Sequence, residues 1–350
     1  MTTLSRAHFL KIAAAATAGA MLTSCSTGSG SQTDGTAQEG QSYTVKHAFG
    51  QTTFDTVPQR IAVVQFWINP DALLALGVIP VGTPAVTWGG NANQSTPWFD
   101  AKRQELGGEE PVRYQETDGP DYQQLAQLEP DAIFCPYGEM SQEVYDKLSQ
   151  IAPVVPAPEG VGSWESSWQQ ALEMAGKMLH KEEEAQQVIQ ETEEKIKAKA
   201  AEYQNLKGAS FLAGAFNSAE NTFGAYTSQD TRPRFFSLLG MEQAAYVKDR
   251  EKEDKDSFFI NISAEVIDTV QADAVWAWVD QESMIEQIKS NKLFANMPAL
   301  KKDALVFEAD KTFGLALSAS SSLSLIWALE ETDILKNMSQ AVEKTRQSAQ

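Results

Sequence analysis

The chain has 350 residues, 42% of them hydrophobic and 9% aromatic, which is too apolar for a disordered segment and long enough for about two packed units. Its formal charge is -19, with 47 Asp and Glu against 28 Lys and Arg, so nucleic acid is excluded as a general partner, although a local cationic spot can still hold an anion.

The first 24 residues read as an export leader. Arg6 and Lys11 supply a positive start, Ile12 to Leu22 a short apolar run, and small residues precede Cys25. That run falls short of the roughly 20 apolar residues a membrane helix needs, and a Gly/Ser-rich flexible linker over residues 25–42 follows it. The combination resembles a bacterial lipoprotein signal, with Leu22, Thr23 and Ser24 as the tripeptide before a lipid-modified Cys25. Within the leader, SRAHFLK (Ser5 to Lys11) resembles the twin-arginine export motif with Ala7 in the second arginine position, which leaves the route open; either route ends outside the cytoplasmic membrane. If Cys25 carries lipid, Cys135 has no partner within the mature chain and, in the apolar DAIFCPY, reads as a small buried hydrophobe.

From Tyr43 onward short apolar runs alternate with amphipathic stretches. IAVVQFW (61–67) predicts a buried strand, DALLALG (71–77) a helix stopped by Gly77, and VIPVG (78–82) the next strand. DYQQLAQLEP predicts a helix before the strand DAIF, and SQEVYDKLSQI another before APVVP. This alternation, over residues 43–163, argues for parallel βα units with ligand sites at the carboxyl ends of the strands. Residues 164–206 lack proline and carry apolar positions at helical spacing (Trp164, Trp168, Leu172, Ala175, Leu179, then Ala185, Ile189, Ile196), predicting a long helical region whose second part is a solvated amphipathic helix. A second αβ series occupies 207–335: strands at 209–216, 273–279 and 304–310, helices around RFFSLLG, AEVIDTV and SSSLSLIWALEE. Residues 336–350 read as a frayed polar tail. The expected fold class is therefore α/β, two lobes with mostly parallel central sheets joined by one long helix.

Several stretches resemble, in order and spacing, the extracytoplasmic substrate-binding proteins of ABC importers for ferric siderophores, haem and cobalamin. They are VPQRIAVV with DALLALGVIPVG, LAQLEPDAIF with YDKLSQIAPVV, ISAEVIDTVQADAVW, and NKLFANMPALKKDALVFEAD, and the resemblance spans Tyr43 to Leu335. It implies a ligand held in the cleft between two lobes, a ferric siderophore in the main reading and haem or cobalamin in the alternative. It further implies a monomer that delivers to a permease and its ATPase, needs no cofactor, and is held at the cell membrane by lipid on Cys25.

Which residues would hold such a ligand? Direct chelation of a bare metal by histidine is disfavoured: His8 falls in the leader, and His47 and His180 lie outside the predicted strand ends. A chelated ion instead calls for Arg for charge and aromatics for area. In the first lobe Trp67 and Tyr137 follow predicted strands, where they either meet ligand or pack between lobes, and Trp88 sits in the Gly/Asn-rich loop TWGGNANQSTPWF, where core packing explains it poorly. In the second lobe SQDTRPRFFSLLGM carries Arg232 and Arg234 near a helix start; the resemblance favours Arg232 as a ligand contact, against a salt bridge with one of the many acids. Phe223, Tyr226, Trp278 and Phe313 are further candidates, and because Trp276 and Trp278 alternate on one strand, one of them belongs to the core.

The resemblance also implies an acidic permease-docking residue on each lobe. Glu265 of ISAEVID matches in the second; in the first, Gln123 stands near the position where the family often has Glu, and Asp121 is the substitute. Tyr137 or Tyr226 could serve as an axial ligand if the cargo were haem. There is no GxSxG, HExxH or P-loop, so an enzyme is not expected.

Overall fold

The computed structural model describes residues 42–348; the expectations for the leader, for Cys25 and for the linker up to residue 41 lie outside the described residues. The described chain opens with a hairpin absent from the sequence expectation, β1 (Tyr43–His47) antiparallel to β2 (Gly50–Phe54). The first lobe then alternates as expected: β3 (Ile61–Val63), α1 (Asn69–Ala75), β4 (Gly82–Pro84), α2 (Pro97–Leu106), β5 (Val112–Tyr114), α3 (Tyr122–Gln127), β6 (Ala132–Phe134), α4 (Gln142–Ser149) and β7 (Val154–Val155). All five strands of its sheet run parallel in the order β5-β4-β3-β6-β7. Connections run one way from β3 and the other way from β6, which makes the carboxyl ends of these two central strands the switch point at which α/β sheets form a crevice.

Both faces of that sheet are covered, which explains the unbroken apolar run at its centre. Ile61 and Val63 join the main hydrophobic core, while Ala62 and Val64 face a smaller cluster with Tyr114, Leu125, Ile133 and Leu148. Two strand expectations shift. The first strand ends at Val63 instead of Trp67, because Gln65 turns the chain at φ 59, and the second begins at Gly82, where the expectation ends.

The helical region 164–206 divides into α5 (Trp168–Leu179) and the 20-residue α6 (Glu182–Ala201). The single helix of the sequence expectation is interrupted at His180, which takes the left-handed conformation (φ 53), while the Lys181 N–H bonds back to the Gly176 carbonyl at 2.8 Å. Ser167 opens α5 with a reciprocal capping box to Gln170, so Trp164, expected within the helix, stands outside it.

The second lobe contains β8 (Ser210–Asn217), β9 (Thr222–Tyr226), α7 (Thr231–Leu238), β10 (Glu242–Gln243), α8 (Ala245–Glu251), β11 (Phe259–Ser263), β12 (Ala274–Trp278), α9 (Ser283–Ser290), α10 (Pro298–Lys301), β13 (Leu305–Glu308) and α11 (Lys311–Ser318), followed by α12 (Ser322–Glu331) and α13 (Ile334–Gln347). Its sheet runs β11-β9-β8-β12-β13; β8, β12 and β13 are parallel, whereas β9 is antiparallel to both neighbours.

Two further expectations change here. AEVIDTV forms only a 3₁₀ turn at Ile267–Thr269, consistent with the poor helix propensity of its Val, Ile and Thr residues. The polar tail is a helix: α13 buries Met338, Ala341 and Val342 against the second lobe, and only its outer face is polar. One hydrophobic core runs through both lobes, including α1 (Leu73, Leu74), α5 (Leu172, Met178), α6 (Ile196) and α12 (Leu325, Ala328). No described helix is long and apolar enough to cross a membrane.

Candidate ligand-binding site

The site is built at the switch point of the first sheet. Beyond β3, the left-handed Gln65 delivers Phe66 and Trp67 into the crevice; beyond β6 comes Tyr137. Asn69, buried at the start of α1, ties the two strand ends together. Its Nδ2 donates to the carbonyls of Val64 (3.1 Å) and Tyr137 (2.8 Å), and its Oδ1 accepts from the Tyr137 N–H (3.0 Å). Gly138 is required beside them: at φ 148 its missing Cβ would lie 2.0 Å from Gln65 Oε1, and Gln65 Nε2 donates to the Glu139 carbonyl in the same turn.

The result is an aromatic cluster. Phe66 lies 4.4 Å from Trp67, 4.6 Å from Trp164 and 5.8 Å from Tyr137 between ring centroids, and Tyr137 stands edge-on to Trp164 at 5.7 Å. Trp164 reaches this cluster because φ 67 turns it out of helical geometry. Phe66, Trp67 and Trp164 of this cluster border a cavity of about 530 Å³ that Trp88 also lines. Two polar groups lining it have no protein partner among the described residues, the donor Trp67 Nε1 and the acceptor Glu116 Oε1. Burial pushes the Glu116 carboxyl up to about 7, with Asp121 adding to the rise and the Gln65 backbone N–H opposing it. A second hollow of about 320 Å³ lies between the start of α5 and α7, with Trp168, Arg234 and Leu238 in its walls; a narrow crevice containing Tyr137 shares Ser166–Trp168 with it.

The second lobe faces this surface with charge. Asp230 caps α7 by accepting from the Arg232 N–H at 2.9 Å, and its carboxylate takes Arg232 Nε (2.8 Å) and Nη2 (2.5 Å) as a bidentate pair. The same guanidinium lies over the Tyr226 ring, 3.5 Å from its centroid. Arg234 donates to the carbonyls of Ser228 and Gln229. Burial, and then the negative charge of Asp230, push the Tyr137 hydroxyl of the first lobe up to about 12, against the pull of Arg234 and Arg232. Farther along, Trp88, 44% exposed, meets Trp278 edge-on at 5.6 Å, and Thr312 Oγ1 donates to the Gly89 carbonyl at 2.9 Å.

Of the sequence candidates, Trp67 and Tyr137 join the aromatic cluster, Trp88 meets Trp278 of the other lobe, Tyr226 stacks with Arg232, and Arg234 lines the hollow beside α5. Phe223 and Phe313 do not: they are 0% and 1% exposed, Phe223 edge-on to Phe216 and Phe313 against Trp276, so they belong to the second lobe's core. Trp276 is the buried member of its strand pair. Phe66, Trp164, Asn69, Glu116 and Asp230 escaped the sequence reading; a hydrophobe after a strand and a tryptophan before a capping serine carry no distinctive pattern. Glu265 is exposed in the turn after β11, next to the 43% exposed Val266. Asp121 is half-buried and caps α3 through Gln124 N–H, while Gln123 beside it is exposed. Cys135 is a buried free thiol, 3.3 Å from Gln65 Oε1. Among the described residues no group of three or more His, Cys, Asp or Glu is placed to hold a metal ion.

Two αβ lobes, with an aromatic-lined cavity at the switch point of the first and a hollow walled by α5 and by Arg234 of α7 beside it, define a two-lobed solute-binding protein. A periplasmic binding protein family model matches residues 63–311, and the chain belongs to that family. A protein of Bacillus subtilis described as a "probable siderophore-binding lipoprotein" is 26% identical over 292 residues, covering 80% of this chain and 84% of the relative. Among solved structures, Streptococcus pneumoniae PiaA in complex with ferrichrome is similar at 29% identity with a TM-score of 0.75, covering 86% of this chain and 99% of that one. Staphylococcus aureus SirA complexed with staphyloferrin B shares the fold at 20% identity and a TM-score of 0.65, covering 84% and 98%.

Proposed function

We propose that this protein is the substrate-binding component of an ABC importer for iron, a carrier and not a catalyst, which captures a ferric siderophore in the interlobe cleft and hands it to a permease with its ATPase. The observation that carries the reading is the aromatic cluster of Phe66, Trp67, Tyr137 and Trp164 at the switch point of the first lobe, three of whose rings border the 530 Å³ cavity. Flat apolar surface plus a few convergent polar groups suits a bulky chelate that encloses its metal. Family membership supports the carrier role, and the names of the Bacillus and Streptococcus relatives support the ligand.

Glu265 and Asp121 are the proposed permease contacts, one on each lobe. A monomer held to the cell membrane by lipid on Cys25 completes the reading; Cys25→Ala should release the protein or leave its leader uncut, and retained, processed protein would overturn the anchor.

Tryptophan fluorescence tests the ligand. Trp67 and Trp164 in the site should be quenched saturably by a ferric siderophore, and Trp67→Ala should lower affinity by about tenfold or more. Tight binding of haem or cobalamin, with no quenching by any ferric siderophore, would overturn the proposal.

A further inference from the structure

The hollow of about 320 Å³ between the start of α5 and α7 shares no lining residue with the aromatic cavity of the first lobe, and its chemistry differs. Arg234 stands in its wall, held by donating Nε to the Ser228 carbonyl at 3.0 Å and Nη2 to the Gln229 carbonyl at 2.9 Å. Carbonyls orient a guanidinium without neutralising it, so a whole positive charge remains. Among the described residues no Asp or Glu lines the hollow. Two acids of the surrounding segments are committed elsewhere, Asp230 to Arg232 and Glu251 to the Ser228 N–H. In a chain of formal charge -19, a half-buried guanidinium that faces no carboxylate is a place for an anion from outside.

A second, independent group marks the same space. Ser166, only 4% exposed, lines the hollow, and its hydroxyl has no partner among the described residues. A buried hydroxyl left unpaired costs free energy that a bound acceptor recovers. The first turn of α5 lies in that wall too and brings the positive end of a 12-residue helix. The rest of the lining is largely apolar, with Trp168, Pro233, Phe235 and Leu238 in it, and a bare inorganic ion would leave that surface unused. We propose that this hollow is a second ligand site, one that takes a small organic carboxylate. The carboxylate lies against Arg234 and Ser166, where Nη1 is the guanidinium nitrogen not already given to a carbonyl, and the apolar body lies against Trp168 and Phe235. The site stands whether or not the aromatic cavity holds a siderophore.

Calorimetric titration of the purified protein with benzoate tests this, with benzyl alcohol as the neutral counterpart and inorganic phosphate as an anion without an apolar body. Benzoate should bind saturably, with a dissociation constant of about 1 mM or tighter, and about tenfold or more better than either control. Arg234→Gln should weaken benzoate by about tenfold or more, and Ser166→Ala by about threefold. Ser237→Trp, at an exposed position of α7 on the same lining, should fill the hollow and abolish binding in a protein that circular dichroism shows to be folded, so the test survives a failure of Arg234→Gln to fold. Trp67→Ala, in the other cavity, should leave benzoate affinity within about twofold. No saturable binding, or equal binding of benzyl alcohol, would overturn the carboxylate site, and phosphate bound as tightly as benzoate would overturn its organic class. Undiminished binding in Ser237→Trp, or loss of binding in Trp67→Ala, would put the carboxylate outside this hollow and overturn the second site.

Discussion

Asp71 and Asn69, two residues apart on α1, show how single buried polar groups carry different loads. Asn69 satisfies its amide on both strand ends, so Asn69→Ala should strand the Val64 and Tyr137 backbone groups, cost about 1–3 kcal/mol in denaturant unfolding and weaken ligand quenching by loosening Tyr137. Asp71 bridges toward the C-terminal helices: its Oδ2 accepts from Trp98 Nε1 (2.8 Å) and from Ser321 Oγ (2.6 Å), while Oδ1 has no protein partner. Burial pushes its carboxyl up to about 7, against the hydrogen bonds from Ser321 and Trp98 and the positive field of Arg113. A carboxyl with a raised folded-state value binds its proton more tightly in the folded protein than in the unfolded chain. Its contribution is therefore complete below the unfolded value near 3.8 and is lost as the pH rises toward about 7. Melting temperature should fall between about pH 4 and pH 7 and level off above, and Asp71→Asn, neutral throughout, should flatten that decline; parallel profiles would locate the effect elsewhere, with Glu116 the next group to test.

Elements meet at places where only glycine fits. Gly314 of α11 lies beneath the contact between lobes: a Cβ there would sit 2.8 Å from Trp278 Cζ3 and 3.3 Å from Trp88 Cη2. Gly314→Ala should wedge the two indoles apart, changing the emission of the free protein and its response to ligand more than its stability. On the α5–α6 pair, a Cβ at Gly176 would lie 2.9 Å from that of Ala185, and its carbonyl accepts the bond that ends α5. Gly176→Val should cost about 1–3 kcal/mol by prying the helices apart. The charged surface of α6 was legible as a helix from its apolar spacing. Its break from α5 was not, since a left-handed histidine looks like any other residue in sequence and gains its place from the Tyr43 ring packed on it at 3.8 Å between centroids.

At the scale of the molecule the lobes share one core through α1, α5, α6 and α12, and calorimetry should therefore record one cooperative unfolding transition for both lobes. Truncation after Thr332 removes Met338, Ala341 and Val342 from that core and should lower the melting temperature by several degrees, whereas loss of a frayed tail would leave it unchanged. The alternation of apolar runs and amphipathic stretches determined the αβ character of both lobes, and the positions just beyond β3 and β6 marked Trp67 and Tyr137, because strand and helix impose periods that a linear sequence displays. Tertiary structure alone decided that Phe223 and Phe313 are core, that Trp164 and Phe66 join the site, and that Arg232 is held by Asp230. Those outcomes depend on which faces of distant elements meet, and a side chain's neighbours across a cleft leave no period in the chain.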